Sequence, residues 1–167
     1  MSERKKLINL IYLAGYMDYR GGDTKPVDWR KKITRMADKE HIDTISPFLV
    51  PKVPEGARYV KRTACVDRDK GYINDVDAVL VDFTRDDINS AGTSMEIKHA
   101  YDLGKLVVAF VGKRETIPLW IEHHITAAFE TPEQALTFIV NHNRRQMAQK
   151  EEELLQITED IPEKEKK

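Results

Sequence analysis

The sequence predicts an α/β fold built on a parallel sheet. Short, almost unbroken apolar runs recur at residues 7–14 (LINLIYLA), 78–83 (AVLVDF) and 106–111 (LVVAFV). Strands covered on both faces need that continuity, whereas a half-solvated strand alternates. Segments with helical spacing separate these runs, and strands alternating with helices make a parallel sheet with right-handed crossovers. The chain has 167 residues. That is enough for one domain that hides about two thirds of its unfolded surface.

The elements follow in order. Residues 7–14 contain β-branched and aromatic side chains and stop at Gly15, so they read as a buried strand rather than a helix. A loop rich in Gly, Asp and Tyr runs from 15 to 26. Residues 28–40 form an amphipathic helix, with Trp29, Ile33, Met36 and Ala37 on one face. A short strand at 42–46 is stopped by Pro47, and the prolines at 51 and 54 keep 48–56 in a loop. Residues 58–75 read as a helix with Val66 and Ile73 facing inward. After the strand at 78–83, a polar loop at 84–91 leads to Gly92. A helix follows over 93–104, with Gly104 as its stop. Residues 106–111 form the fourth strand and 125–129 a weaker fifth. Thr131 caps the last helix, which carries Pro132 in its first turn and runs to about 149. The charged stretch 144–167 is expected to be a solvated helix that frays, which divides the chain into a domain at 1–143 and a tail.

Composition excludes several classes of function. The chain has 27 Lys+Arg against 28 Asp+Glu, a balance that argues against a dedicated nucleic-acid binder. No apolar run approaches the roughly 20 residues of a membrane helix. A lone Cys65 cannot form an intrachain disulfide, which points to a reducing, cytoplasmic setting. There is no G-x-G-x-x-G and no P-loop, so dinucleotides and nucleoside triphosphates lack their fingerprints. His123 and His124 are adjacent, point in different directions on a helix, and have no further ligand at metal spacing, so no metal site is expected.

In open parallel sheets ligands bind beyond the carboxyl ends of the strands. That nominates the loops after the first, third and fourth strands. The loop and helix at 90–100 (SAGTSMEIKHA) is the most informative stretch. Gly92 permits close backbone approach, and Thr93 or Ser94 would cap the helix. Glu96 then has two readings: a carboxylate nucleophile favoured by the helix dipole, or the partner of Thr93 in a capping box. Asp69 lies near Asp67, Asp75 and Asp77, and reads either as a general acid or as a solvated surface group. Tyr12 could pack in the core with its hydroxyl reaching the cleft. Asp82, at the end of the third strand, is a candidate to touch a ligand or to cap a helix.

Taken together, Ile11-Tyr-Leu-Ala-Gly15, Trp29-Arg30, residues 69–83 (DKGYINDVDAVLVDF) and residues 90–105 (SAGTSMEIKHAYDLGK) resemble, in order and spacing, the nucleoside 2-deoxyribosyltransferase family and its relatives, the deoxynucleoside 5′-monophosphate N-glycosidases. The resemblance covers roughly residues 7–140. It implies a flavodoxin-like three-layer sandwich with a five-stranded parallel sheet and a cofactor-free retaining double displacement. Glu96 matches the nucleophile that attacks C1′ of deoxyribose, Asp69 the acid that protonates the leaving base, and Tyr12 the residue that orients the nucleophile. Gly15, Gly92 and Thr93 fall where backbone contacts sugar or phosphate. Two positions depart from the pattern in opposite directions. Ser90 stands where well-known transferases carry a substrate-contacting aspartate and the hydrolases a phosphate-contacting serine. Tyr16 stands where the hydrolases carry a small phosphate-binding serine.

The resemblance further implies small-molecule deoxynucleoside or deoxynucleotide and free-nucleobase partners, with no nucleic acid or membrane. It also implies a homodimer or higher homo-oligomer with shared sites, in which Trp120 and His123 are candidates to line a neighbour's site. Three activities stay open on the sequence: deoxyribosyl transfer between bases, hydrolysis of deoxynucleoside monophosphates, and a non-catalytic nucleotide-binding module.

Overall fold

The computed structural model describes residues 7–16, 25–47, 63–85 and 91–159. The expected loop at 48–56, the start of the second helix at 58–62, Ser90, the side chain of Cys65 and residues 160–167 lie outside the described residues. The strands are β1 (Leu10–Gly15), β2 (Asp43–Ile45), β3 (Ala78–Asp82), β4 (Leu106–Phe110) and β5 (Ala127–Phe129). The helices are α1 (Lys25–Asp38), α2 (Thr63–Asp75), α3 (Ala91–Asp102), α4 (Leu119–His124) and α5 (Pro132–Glu159). All strand pairs are parallel, in the order β2-β1-β3-β4-β5. This is the doubly wound flavodoxin-like order, with its switch point between β1 and β3.

The strands' period of two divides the core into two layers. Ile11 and Leu13 of β1, Ala78 and Leu80 of β3, and Val108 and Phe110 of β4 pack against α1 and α5. Tyr12 and Ala14, Val79 and Val81, and Val107 and Ala109 face the other way, onto α2, α3 and α4. Tyr12 therefore sits fully buried among mainly aliphatic strand residues, with its hydroxyl directed at α3. Register decides this, because a one-residue slip would send it to the opposite face.

The helix ends follow local chemistry. α1 opens at Lys25, earlier than expected, because proline is accommodated in a first turn and Pro26 occupies one. It closes with His41 at φ 57 and with the Ile42 amide donating back to the Ala37 carbonyl, a left-handed stop. Gly104, at φ 67, ends α3 in the same way, as the sequence predicts. Thr131 and Gln134 exchange side-chain and backbone hydrogen bonds at 3.3 and 3.1 Å, so the expected cap of α5 is a full capping box.

Three expectations fail locally. Val66 is 57% exposed rather than inward, because it lies in the first turn of α2 at the outer edge of the layer, while Ile73 is fully buried. The sequence assigns no range to α4, since six residues of mixed polarity carry no readable period, although His123 and His124 read as helical. α5 continues as one helix across position 143 to Glu159, well past the expected end near 149. It is tied to the sheet by Asn143, whose side chain donates to the Ile8 carbonyl and accepts from the Ile8 amide at 2.7 and 2.8 Å.

Candidate active site

The strand ends meet closely at the switch point. Gly15 takes φ +136, and a Cβ there would lie 2.7 Å from the Asp82 Cβ, so only glycine fits between β1 and β3. Asp82 turns its carboxylate back onto its own loop. Its Oδ1 accepts from the Thr84 amide at 3.0 Å and from the Thr84 hydroxyl at 2.7 Å. Asp82 thus shapes the β3 exit rather than capping a helix.

α3 starts at Ala91, two residues ahead of expectation. Thr93 is therefore inside the first turn and buried, not a cap, and the capping-box reading of Thr93 and Glu96 fails with it. The buried stripe of α3 is Thr93, Ile97 and Ala100. Glu96 lies on the same side, so helical spacing sets a carboxylate at the rim of an apolar layer.

There the two expected partners meet. The Tyr12 hydroxyl donates to Glu96 Oε1 at 3.0 Å, across 84 residues of sequence. Burial is the largest influence on Glu96 and raises its pKa to about 7. The Tyr12 hydrogen bond opposes that rise, the negative charge of Asp69 adds to it, and the Arg30 charge opposes it. The Tyr12 phenol is pushed well above its usual range, by burial first and then by the charges of Glu96 and Asp69, so it remains a donor. A carboxylate held by one donor in an apolar layer keeps much of its basicity, which suits a nucleophile.

Asp69 stands on α2 and its Oδ1 accepts from Arg68 Nε and Nη2 at 3.1 and 2.8 Å. Arg68 also lies over the Tyr72 ring, whose centroid is 6.5 Å from that of Tyr12. Asp77, one of its expected acidic neighbours, instead accepts the Asn9 and Leu10 amides and anchors the start of β1. Tyr16 lies beneath the Arg85 guanidinium, 4.6 Å from its ring centroid. Gly92 is exposed, and among the described residues a Cβ there would meet nothing within 4 Å beyond its own helical turn. Ser90 lies outside the described residues. At the carboxyl end of β4 an open depression is lined by residues 114–118, while Arg114 donates to the Phe83 carbonyl at 3.1 Å.

Arg30 was noticed in the sequence only as part of a motif. It is 2% exposed and reaches the end of β1 from α1. The available signal was its position, since Arg30, Ile33 and Ala37 share one helix face and an arginine on a buried stripe needs partners. His123 and His124 belong to an aromatic group with Tyr101 and Trp120. His124 is buried, with Nδ1 2.6 Å from the Trp120 carbonyl. Among the described residues no group of three or more His, Cys, Asp or Glu could hold a metal ion. No helix among them is long and apolar enough to cross a membrane.

Comparison with known proteins bears on the family and the fold. The family model for nucleoside 2-deoxyribosyltransferase matches residues 11–156. A 2-deoxyribosyltransferase from Bacillus psychrosaccharolyticus superimposes with a TM-score of 0.61 at 25% identity, over 75% of this chain and 88% of that one. A 2-deoxyribosyltransferase from Leishmania mexicana gives 0.60 at 16% identity, over 80% and 98%. A CMP N-glycosidase from Clostridium botulinum gives 0.52 at 11%, over 78% and 97%. The last two show likeness of fold. A search of curated proteins finds no significant match.

Proposed function

Because the chain belongs to the nucleoside 2-deoxyribosyltransferase family, whose chemistry is glycosyl transfer or N-glycoside cleavage on nucleosides and nucleotides, we propose that it cleaves the N-glycosidic bond of 2′-deoxynucleosides. The deoxyribosyl group then passes to a second nucleobase through a covalent ester on Glu96. The observation that carries this reading is the Tyr12–Glu96 hydrogen bond at the switch point of the sheet. It fixes one carboxylate oxygen and leaves the other to attack.

The steps balance without a cofactor. A Glu96 oxygen bonds C1′ as the C1′–N bond breaks, and Asp69, protonated from solvent in the substrate complex, gives its proton to the departing base and is left as the carboxylate. A nitrogen of the second base then attacks C1′, the ester bond breaks, and the incoming base returns its proton to Asp69. Two oxocarbenium-like transition states invert the same carbon twice, so configuration is retained. The open space at Gly92 leaves backbone free to approach sugar, and Gly15 is proposed as a second backbone contact. Thr93, Tyr16, Asp82 and Ser90 complete the proposed substrate contacts. The exposed Leu119 and Trp120, at 77% and 78%, support an oligomer whose subunits complete each other's sites.

Hydrolysis of deoxynucleoside monophosphates is the second reading. Its support is the pair of guanidinium groups at the carboxyl edge, Arg85 over Tyr16 and Arg114 over Phe83, since guanidinium suits phosphate. Incubating a deoxynucleoside, or its 5′-monophosphate, with and without a free second base separates the readings. Exchange of the nucleoside only when acceptor is present is expected for the transferase. Release of base from the monophosphate without acceptor, with the nucleoside inert, would overturn it.

A further inference from the structure

The carbonyls of β1 point alternately to its two neighbours. The Asn9 carbonyl accepts from Asp43 at the start of β2, and the Leu10 carbonyl from Asp77 just before β3. Odd-numbered carbonyls therefore face β2. Yet β2 is three residues long and stops at Ile45, opposite Tyr12. The Leu13 and Gly15 carbonyls outrun the strand that should pair them, at the mouth of the candidate site. A buried carbonyl without a donor is costly.

Arg30 supplies the donors. Its Nε donates to the Leu13 carbonyl at 3.1 Å, Nη2 to the Gly15 carbonyl at 3.1 Å, and Nη1 to the Tyr16 carbonyl at 3.4 Å. The guanidinium lies 4.6 Å from the Trp29 ring centroid and is nearly inaccessible. A planar fork of fixed donors can span carbonyls in this way, and an ammonium cannot.

We propose that Arg30 is a positioning residue for the glycosyl-transfer reaction. Its fork replaces the missing length of β2 and fixes the Gly15–Tyr16 backbone at the mouth of the candidate site. Among the described residues, few groups influence Glu96. β1 presents Tyr12, α2 presents Asp69 paired with Arg68, and α1 presents Arg30. β3 and β4 present Val79, Val81, Val107 and Ala109 on that face of the sheet, and α4 presents Ile121. Of the charged groups, Asp69 disfavours the ionised form of Glu96 and Arg30 favours it. Lengthening β2 could satisfy the carbonyls, but it would not supply this charge.

The reaction half of this inference rests on the proposed function, whereas the electrostatic half does not. The test is therefore a 13C carboxyl titration of Glu96 in the free protein, assigned by loss of its signal in Glu96→Gln, alongside the pH profile of base exchange. In Arg30→Met the Glu96 titration is expected to move upward by about half a pH unit or more, and the rising limb of kcat/KM to move with it. Arg30→Lys keeps the charge and loses the fork. Its titration should stay closer to wild type while KM rises severalfold, and it remains informative if the Met variant does not fold. Wild-type titration of Glu96 in both variants, with activity lowered equally at every pH, would reduce Arg30 to a structural cap and overturn the proposal. A wild type that neither exchanges nor hydrolyses substrate would instead sink the proposed function, and the titration would still decide the role of Arg30's charge.

Discussion

Two charge-bearing side chains lie at the carboxyl edge of the sheet, one from each face, Arg30 buried and Glu96 partly so, and they are treated oppositely. Arg30 comes from the α1 side and has its donors spread over three backbone carbonyls and its plane near Trp29. Glu96 comes from the α3 side, and the Tyr12 phenol donates to one of its oxygens. A buried charge surrounded by dipoles is stable and inert. One that is desolvated with little compensation stays reactive, and its pKa shows it, at about 7 for Glu96. The comparison sets a charge whose donors are taken up by the backbone against the carboxylate proposed as the nucleophile, even though both groups lie at one switch point.

The sharpest way to break the comparison is to remove the reactive partner. Glu96→Ala should cost a thousandfold or more in base exchange, roughly the scale of losing a covalent nucleophile. Retained exchange in a chromatographic assay would end the covalent mechanism. For the wild type, kcat/KM should rise with pH through about 7, because the carboxylate is the active form and burial delays its ionisation. Tyr12→Phe removes the hydrogen bond that favours that form. A loss of about tenfold to a hundredfold is expected, and the rising limb should move to higher pH. A limb that stays in place would show that the phenol does not tune Glu96.

The same contrast has a thermodynamic side. Glu96 binds its proton more tightly folded than unfolded, about 7 against 4.5. Below about pH 4.5 both states hold the proton and no difference exists. Between those values the unfolded chain ionises first, so the protein loses stability as pH rises, by up to about 3 kcal/mol above pH 7. Glu96→Gln should therefore raise the melting temperature at pH 8 and leave it nearly unchanged at pH 4. Equal effects at both pH values would mean that burial is not what perturbs the carboxyl. Gly15→Ala should act without a pH signature, lowering stability by about 2 kcal/mol through strain and contact with Asp82. Denaturant unfolding at the two pH values measures both.

These differences also mark what could be read from the chain. The strands were legible because burial on both faces forces continuous apolar runs, and the stops at Gly104 and Thr131 follow from residue chemistry alone. The site was not legible in the same way. Tyr12 and Glu96 are 84 positions apart, and no spacing rule joins them. Only the register of β1, which sends even-numbered residues to the α3 face, brings them together, and in the sequence their pairing rested on family resemblance. Arg30 was hidden for another reason. Its partners are carbonyls left over by the shortness of β2, and residue types do not record which carbonyls are left over. Val66 and α4 were missed where helices are short or overhang the sheet, so periodicity has too little length to speak.

The smallest expected effect lies at the opposite end of the comparison, in a feature that is wholly structural. Thr131 and Gln134 satisfy two orphan donors at the start of α5. Thr131→Ala should lower stability by about 1 kcal/mol. α5 packs on the face that carries Ile11, Leu13, Leu80 and Val108, not on the Tyr12 face. Loosening its first turn should therefore leave the pH profile of exchange unchanged below the melting transition. If the rising limb of kcat/KM shifts in Thr131→Ala, strain crosses the sheet and the two layers are coupled. If only the unfolding midpoint moves, the ionisation of Glu96 is set on its own face and by Arg30, and the helices behind the sheet serve to hold the strands in register.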